Sequence, residues 1–345
     1  MTSELTNWDG ELLISKYDSI TGSWIFIAIH STKLGPATGG TRMMQYNSQD
    51  DAIQDVLQLA KGMTLKFALA NFPRGGGKAV IAIKGKLPVQ DRIDLLRRYG
   101  KLILQLNGLF YSGADIGTSS TDMDIISETA APFIFSRTPE NGGAGSSAKA
   151  TAYGVLVAIE STMAYMNNDS SLKNKTILVQ GAGKVGEQLI NLLRHEEAII
   201  YFSDTDEVIA KKMCQNDAVI FVHPNNVYET NCDVFAPCAL GGILNNQTIP
   251  LLKCRAVVGA ANNQLAAAGD ALLLKQHNIL YAPDFAVNVG GALAITGMET
   301  MGWTEQKAMQ EVGKIYNTLQ KIYIYAEQFN ITTEEAALKL ATQNI

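Results

Sequence analysis

Apolar and polar positions alternate over residues 22–31, Gly-Ser-Trp-Ile-Phe-Ile-Ala-Ile-His-Ser, and the β-branched and aromatic content predicts a strand at an edge of a first domain or at a subunit contact. A helical period follows. Ala52, Ile53, Val56, Leu57, Ala60, Met63 and Phe67 recur on one face, and Ser48 with Asp51 three residues later marks an N-cap. Ile93, Leu95, Leu96, Tyr99, Leu102, Ile103 and Leu106 predict a second helix over 91–106, stopped by Asn107-Gly108. From residue 151 onward a helix is followed by short apolar runs alternating with helical stretches, as in βαβ units, with strands at 176–180 and 198–203 and two more within 233–240 and 256–264. Residues 304–342 are helical by pattern, and Thr332-Thr333-Glu334-Glu335 opens the last helix.

Glycine clusters punctuate the first half. Gly35-Pro36-Ala37-Thr38-Gly39-Gly40-Thr41-Arg42 reads as a turn that permits close backbone approach to a ligand, or as an ordinary tight turn between strands. Arg74-Gly75-Gly76-Gly77-Lys78 reads either as a flexible loop with a solvated lysine or as a loop delivering that lysine beside bare backbone, with Ala79-Val80-Ile81-Ala82-Ile83 as a strand that would hold it; it is not a P-loop, because Ala79 stands where Ser or Thr is needed. Lys66 lies close to the apolar stripe of the first helix, where a lysine either snorkels to water or converges with Lys78 in one cleft. Tyr111 to Thr118 reads as a loop with one acid, Asp115, that either caps the next helix or faces Lys78 as a proton-transfer partner. Residues 138–147, rich in glycine and serine, form the clearest linker. The expected organisation is α/β with two domains: a substrate domain over 1–140, a Rossmann domain over 145–300, and C-terminal helices about 305–345 packing back across the boundary.

The second domain carries a dinucleotide fingerprint. A strand at 176–180 runs into Gly181-Ala182-Gly183-Lys184-Val185-Gly186 and a helix, and about twenty residues on a second strand ends at Asp204. Gly181 makes the tight turn, Gly183 admits the pyrophosphate, Gly186 lets helix and strand pack, and the helix N-terminus at Lys184 and Val185 faces the negative charge. Asp204 would accept hydrogen bonds from ribose hydroxyls and repel a 2′-phosphate, so NAD is expected over NADP. The loops holding Cys238, Ala239, Ala260 and Asn262 follow later strands and are placed to meet the nicotinamide end; Thr151 completes the expected cofactor set.

Size and charge narrow the classes. The chain has 345 residues, 47% hydrophobic and 18% charged, enough for two cores. A formal net charge of -5 with scattered basic residues argues against nucleic acid as a partner. No run approaches the roughly 18 apolar residues of a membrane span, and the acidic start MTSELTNWDGELL is unlike a signal peptide, so no membrane partner and a cytoplasmic location are expected. The four cysteines show no C-x-x-C pair and the four histidines no metal-ligand spacing; reduced, buried thiols and no metal are expected.

GPATGGTR, GMTLK, GGGK, GADIGTSSTDMDII, QGAGKVG, FAPCALGG, GAANNQL and YAPDFAVNVGG stand in this order over nearly the whole chain. Together they resemble the Glu/Leu/Phe/Val amino-acid dehydrogenase superfamily, its leucine and phenylalanine dehydrogenase branch, and the cyanobacterial tryptophan dehydrogenases in particular. The resemblance implies reversible NAD-dependent oxidative deamination of an L-amino acid to a 2-oxo acid and ammonia in a cleft between domains, by a homo-oligomer, dimer or higher. It implies that Lys66 binds the substrate carboxylate, helped by backbone at Gly39 and Gly40 and by Met63, that Lys78 is the general acid/base, and that Asp115 shuttles a proton to and from the amine. Asn262 would orient substrate and nicotinamide. In that branch aliphatic residues wall the pocket where this chain has Thr38 and Ala292; with Gly113 nearby, and Ile295 and Met298 further along, the missing bulk implies room for an aromatic side chain such as tryptophan or phenylalanine. A branched-chain (leucine) dehydrogenase and a catalytically silent NAD- or amino-acid-binding module are the alternatives. Two departures stand out: GGAGSSAKATAYGV replaces GDPSPxTAxGV, and Ala114 replaces an acid before the catalytic aspartate.

Overall fold

A computed structural model of the chain describes residues 8–215 and 218–345, so the first part of the acidic start lies outside the described residues. The chain divides into two units: one runs through Ser147 and includes Ile295–Glu305 and Asn344–Ile345, the other comprises Ala148–Ala294 and Gln306–Gln343. Among the described residues no helix is long and apolar enough to cross a membrane.

The first unit is built on a five-stranded sheet. Its strands are β1 (Leu12–Asp18), β2 (Ser23–Ser31), β3 (Ala37–Met44), β4 (Gly75–Ala82) and β5 (Phe110–Ala114), in the order β1-β2-β4-β3-β5. β2 is therefore interior; the edge is β1, which pairs with it antiparallel from Leu12–Ile29 to Asp18–Ser23. Helix α1 (Gln49–Leu69) covers one face, capped by Ser48 Oγ accepting from the Asp51 N–H at 3.1 Å. Phe26, Ala28 and Val80 meet Ala52, Val56, Leu57 and Ala60 there. α2 (Val89–Gln105) and α3 (Ser120–Ala130) cover the other, where Ile25, Ile27, Ala79 and Ile81 meet Leu95, Tyr99, Met123 and Ile126. Each fully buried Ile, Leu, Val, Phe or Met among them contributes about 1.5–3 kcal/mol.

Three segments read wholly or in part as turns or loops are strands: Ala37–Met44, Phe110–Ala114 and Gly75–Ala82, where the strand expected over 79–83 begins already at Gly75. The glycines are there for close packing. A Cβ at Gly76 would lie 2.1 Å from the Thr64 amide nitrogen, and one at Gly75 2.0 Å from the Ser31 carbonyl oxygen. Helix and neighbouring strand press directly on this backbone.

The second unit holds a six-stranded, all-parallel sheet in the order β11-β10-β9-β6-β7-β8, with β6 Thr176–Gln180, β7 Ile199–Ser203, β8 Val219–Phe221, β9 Cys232–Pro237, β10 Cys254–Val257 and β11 Leu280–Tyr281. The order turns back between β6 and β9, the switch point where doubly wound sheets bind dinucleotides. Helix Ala148–Asn167 packs with Ile315–Gln328 through Thr162 Oγ1 and Tyr323 Oη at 2.7 Å and Ser161 Oγ donating to the Tyr316 carbonyl at 2.8 Å.

The partition departs from the expected one. The C-terminal helices belong to the second unit through that packing, and the segment assigned to the first unit is Ile295–Glu305. The unit boundary falls at Ser147, at the end of residues 138–147, and that stretch is tied down rather than free. Glu299 Oε1 accepts from the Ser136 N–H at 2.8 Å and the Ala144 N–H at 2.9 Å, and Arg137 donates to the Asn141 and Gly142 carbonyls. Cys232 and Cys254 are buried and Cys238 partly so, but Cys214 is exposed.

Candidate functional site

Lys78 and Asp115 are brought together in the first unit. Lys78 shares the parity of Val80 on β4, so it faces α1, and its Nζ lies 2.9 Å from Asp115 Oδ2, which directly follows β5. The lysine side chain is 8% exposed and the aspartate 19%. The loop after β5 is fastened to β3: Thr118 Oγ1 accepts from the Asp115 N–H at 2.9 Å and donates to the Thr41 carbonyl at 2.8 Å. Beneath it, Thr41 Oγ1 lies 2.6 Å from Tyr99 Oη and 2.5 Å from Ser112 Oγ, a buried hydroxyl cluster linking β3, β5 and α2.

Arg42 completes the cluster. Its Nε donates to the same Asp115 Oδ2 at 3.2 Å, while its Nη1 reaches both oxygens of Asp55 at 3.0 and 2.9 Å. Tyr46 Oη donates to Asp55 Oδ2 at 2.5 Å. Burial alone would raise the Asp115 carboxyl, but the Lys78 and Arg42 charges, with hydrogen bonds from Lys78 and the Ile116 N–H, override it and hold it at about 2. A carboxylate so placed is an anion at neutral pH.

Gly39 and Gly40 are required by this packing. A Cβ at 39 would lie 1.8 Å from the Gly77 carbonyl oxygen and 3.4 Å from Met63 Cγ; one at 40 would lie 2.9 Å from Asp115 Cβ. Met63 and Lys66 are half-buried late on α1. Thr38 is wholly buried between β4 and β5, its hydroxyl donating to the Pro36 carbonyl at 3.1 Å. Gly113 does not leave a void: the Phe135 ring fills the place of its side chain, 2.3 Å from a Cβ there. Ile295 is buried and Met298 half-buried on helix Gly290–Met301, whose Ala292 lies in the second unit.

The second unit carries the dinucleotide turn. Gly181 has φ +93°, and a Cβ there would meet Ala239 Cβ at 2.7 Å; one at Gly186 would lie 1.9 Å from the Gly181 carbonyl oxygen. Gly183, by contrast, has no atom within 4 Å of a Cβ, so its exposed face is open for a ligand, and it caps helix Lys184–His195 with no side-chain hydrogen bond. Lys184 is exposed and Val185 half-buried in the first turn. The Cys238 N–H donates to the Gln180 carbonyl at 2.7 Å, joining the loops after β6 and β9. Gln180 Oε1 is buried there without a hydrogen-bond partner among the described residues.

Asp204 directly follows β7, with Oδ2 accepting from the Ala182 N–H at 2.7 Å and Oδ1 from the Asp206 N–H at 2.9 Å. An ionised carboxylate has about four acceptor sites, so capacity for ribose hydroxyls remains. An open glycine, a helix N-terminus and an oriented acid fit a dinucleotide. After β10, Asn288 Nδ2 braces the loop by donating to the Ala260 carbonyl at 3.0 Å and to Asn262 Oδ1 at 2.9 Å. Thr151 lies in the first turn of helix Ala148–Asn167.

Sequence reasoning did not single out Arg42, Asp55 or Tyr46 as site residues. Arg42 ends the GGTR motif, and Asp55 sits beside Val56 on the edge of an apolar stripe; charged residues at such half-buried positions were the available signal.

Residues 16–131 match the family model for the Glu/Leu/Phe/Val dehydrogenase dimerisation domain, and residues 142–214 and 210–345 match that for glutamate/leucine/phenylalanine/valine dehydrogenase. A leucine dehydrogenase of Geobacillus stearothermophilus is 37% identical over 99% of this chain and 92% of its own length. A phenylalanine dehydrogenase of Lysinibacillus sphaericus is 39% identical over 97% and 88%. The crystal structure of L-tryptophan dehydrogenase from Nostoc punctiforme superposes with a TM-score of 0.85 at 35% identity, covering 99% of this chain and 97% of that one.

Proposed function

The chain belongs to the Glu/Leu/Phe/Val amino-acid dehydrogenase family, whose members use a nicotinamide dinucleotide, and on that premise we propose that it deaminates an aromatic L-amino acid oxidatively and reversibly to the 2-oxo acid and ammonia. The observation that carries the reading is the buried Lys78–Asp115 pair at 2.9 Å. Lys78 supplies the base that activates water against the substrate imine and takes its proton. Asp115, ionised at neutral pH, exchanges a proton with the substrate amine. Lys66 and the backbone at Gly39 and Gly40 bind the substrate carboxylate. The turn from Gly181 to Gly186 and Asp204 would hold NAD, which would supply the hydride acceptor, and Asn262 would orient its nicotinamide end. The match to a model described as a dimerisation domain supports a homo-oligomer.

The small side chain of Ala292 supports an aromatic substrate. The Phe135 ring in the space beside Gly113 favours the second reading, a branched-chain substrate. Steady-state kcat/KM for L-tryptophan, L-phenylalanine and L-leucine separates them: leucine ahead of both aromatics would sink the first reading. Lys78→Ala is expected to abolish turnover while NAD still binds, and normal turnover in that variant would defeat the assignment of the proton pair.

A further inference from the structure

Asp115 Oδ2 accepts from two cations that are chemically unlike. Lys78, at 2.9 Å, spends part of each cycle without its proton if it acts as a general base. At that moment a carboxylate paired with lysine alone would be buried beside a neutral amine, a costly arrangement that favours uptake of a proton. Arg42, at 3.2 Å from the same oxygen, cannot lose its charge. It is itself clamped, with Nη1 on both oxygens of Asp55 and Tyr46 Oη on Asp55 Oδ2. With Lys78 protonated the four side chains sum to zero charge, and Asp55 cancels the field that Arg42 would otherwise impose on Lys78.

We propose that Arg42, fixed by Asp55 and Tyr46, is a positioning residue that keeps Asp115 ionised while Lys78 is neutral, so that the two members of the proton pair change state independently. This rests on the reading of Lys78 and Asp115 as that pair. Other titratable groups on the surrounding elements include His30 on β2, with Asp9 and Lys61 beyond it, Lys66 on α1, Tyr99 on α2, Tyr111 on β5 and the Arg92–Asp122 pair between α2 and α3. Burial opposes the charge on Arg42, but Asp115 and Asp55 more than offset it and hold its ionisation firmer than usual.

Charge logic gives the two clamp residues opposite signs. Arg42→Gln leaves Lys78 as sole counterion to two carboxylates, so it holds its proton more tightly. Asp55→Asn leaves the arginine uncompensated, so Lys78 gives its proton up more readily. In kcat/KM–pH profiles of oxidative deamination, the rising limb is expected to move to higher pH in Arg42→Gln, with about a tenfold loss below the limb that vanishes at high pH. It is expected to move to lower pH in Asp55→Asn. A merely structural role would lower both profiles without displacing the limb, and that result, or displacement of both in one direction, overturns the proposal. If one variant does not fold, the direction of displacement in the other decides. Lys78→Ala, run alongside, keeps the two levels apart: full activity there defeats the assignment of the pair, whereas a dead Lys78→Ala with undisplaced clamp variants defeats only the role of Arg42.

Discussion

Protonating Asp115 should cost the fold a definite amount. Its carboxyl is held at about 2 against an ordinary 3.8, which corresponds to roughly 2–3 kcal/mol of stability at neutral pH. The folded value is depressed, so this contribution is fully present above pH 3.8 and is lost as pH falls through 3.8 toward 2. By pH 3 about 1 kcal/mol of it should be gone. Asp115→Asn removes the titration while keeping the shape, at the expense of leaving Lys78 and Arg42 poorly paired. Urea unfolding of both proteins at pH 6 and pH 3 gives the quantity needed, the difference in unfolding free energy at each pH. That difference should shrink by about 1 kcal/mol on acidification. Parallel pH dependences, with no shrinkage, would refute the claim that the two cations govern this carboxylate.

Gly76→Ala should destabilise the first unit by about 3 kcal/mol, measured by urea denaturation, because the added carbon meets the Thr64 backbone rather than a yielding side chain; a neutral substitution would contradict the packing. Asp204→Ala should raise the KM for NAD roughly 10- to 100-fold, and NADP should suffer less, as expected for the loss of charge-assisted hydrogen bonds. Burial, with Asp284 adding to it, pushes the Glu334 carboxyl up to about 8. Its favourable contribution is present below 4.5 and lost as pH rises through 8. The stability of the natural protein relative to Glu334→Gln should therefore fall between pH 5 and pH 9, by on the order of 3 kcal/mol; an unchanged difference would reject the shift.

How legible each part was in the sequence depended on how local its cause is. The dinucleotide turn is a local object, since Gly181, Gly183, Gly186 and Asp204 act within one strand-turn-helix-strand unit, and its spacing carried through to the structure. The strands at Ala37–Met44 and Gly75–Ala82 were obscured, the second in part, because Gly39, Gly40, Gly75, Gly76 and Gly77 look like turn residues. Their cause is non-local: Thr64, Ser31 and the neighbouring strands occupy the space side chains would need. The clamp was hidden for the same reason, since Arg42 meets Asp115 across 73 positions of chain. Gly113 misled in the other direction, its missing bulk being made good by Phe135, more than twenty residues away.

The hydrogen bond from the Ala182 amide to Asp204 has a consequence for how this enzyme can change over time. The carboxylate proposed to read the ribose is also a strut of the glycine turn, accepting from the Ala182 amide. A lineage or an engineer seeking NADP must remove the negative charge without removing the acceptor, or else rebuild the turn in the same step. Single substitutions at 204 that lack an oxygen should loosen binding of both cofactors, of NAD more than of NADP. On this geometry a change of cofactor at position 204 would pass through a poorly binding intermediate.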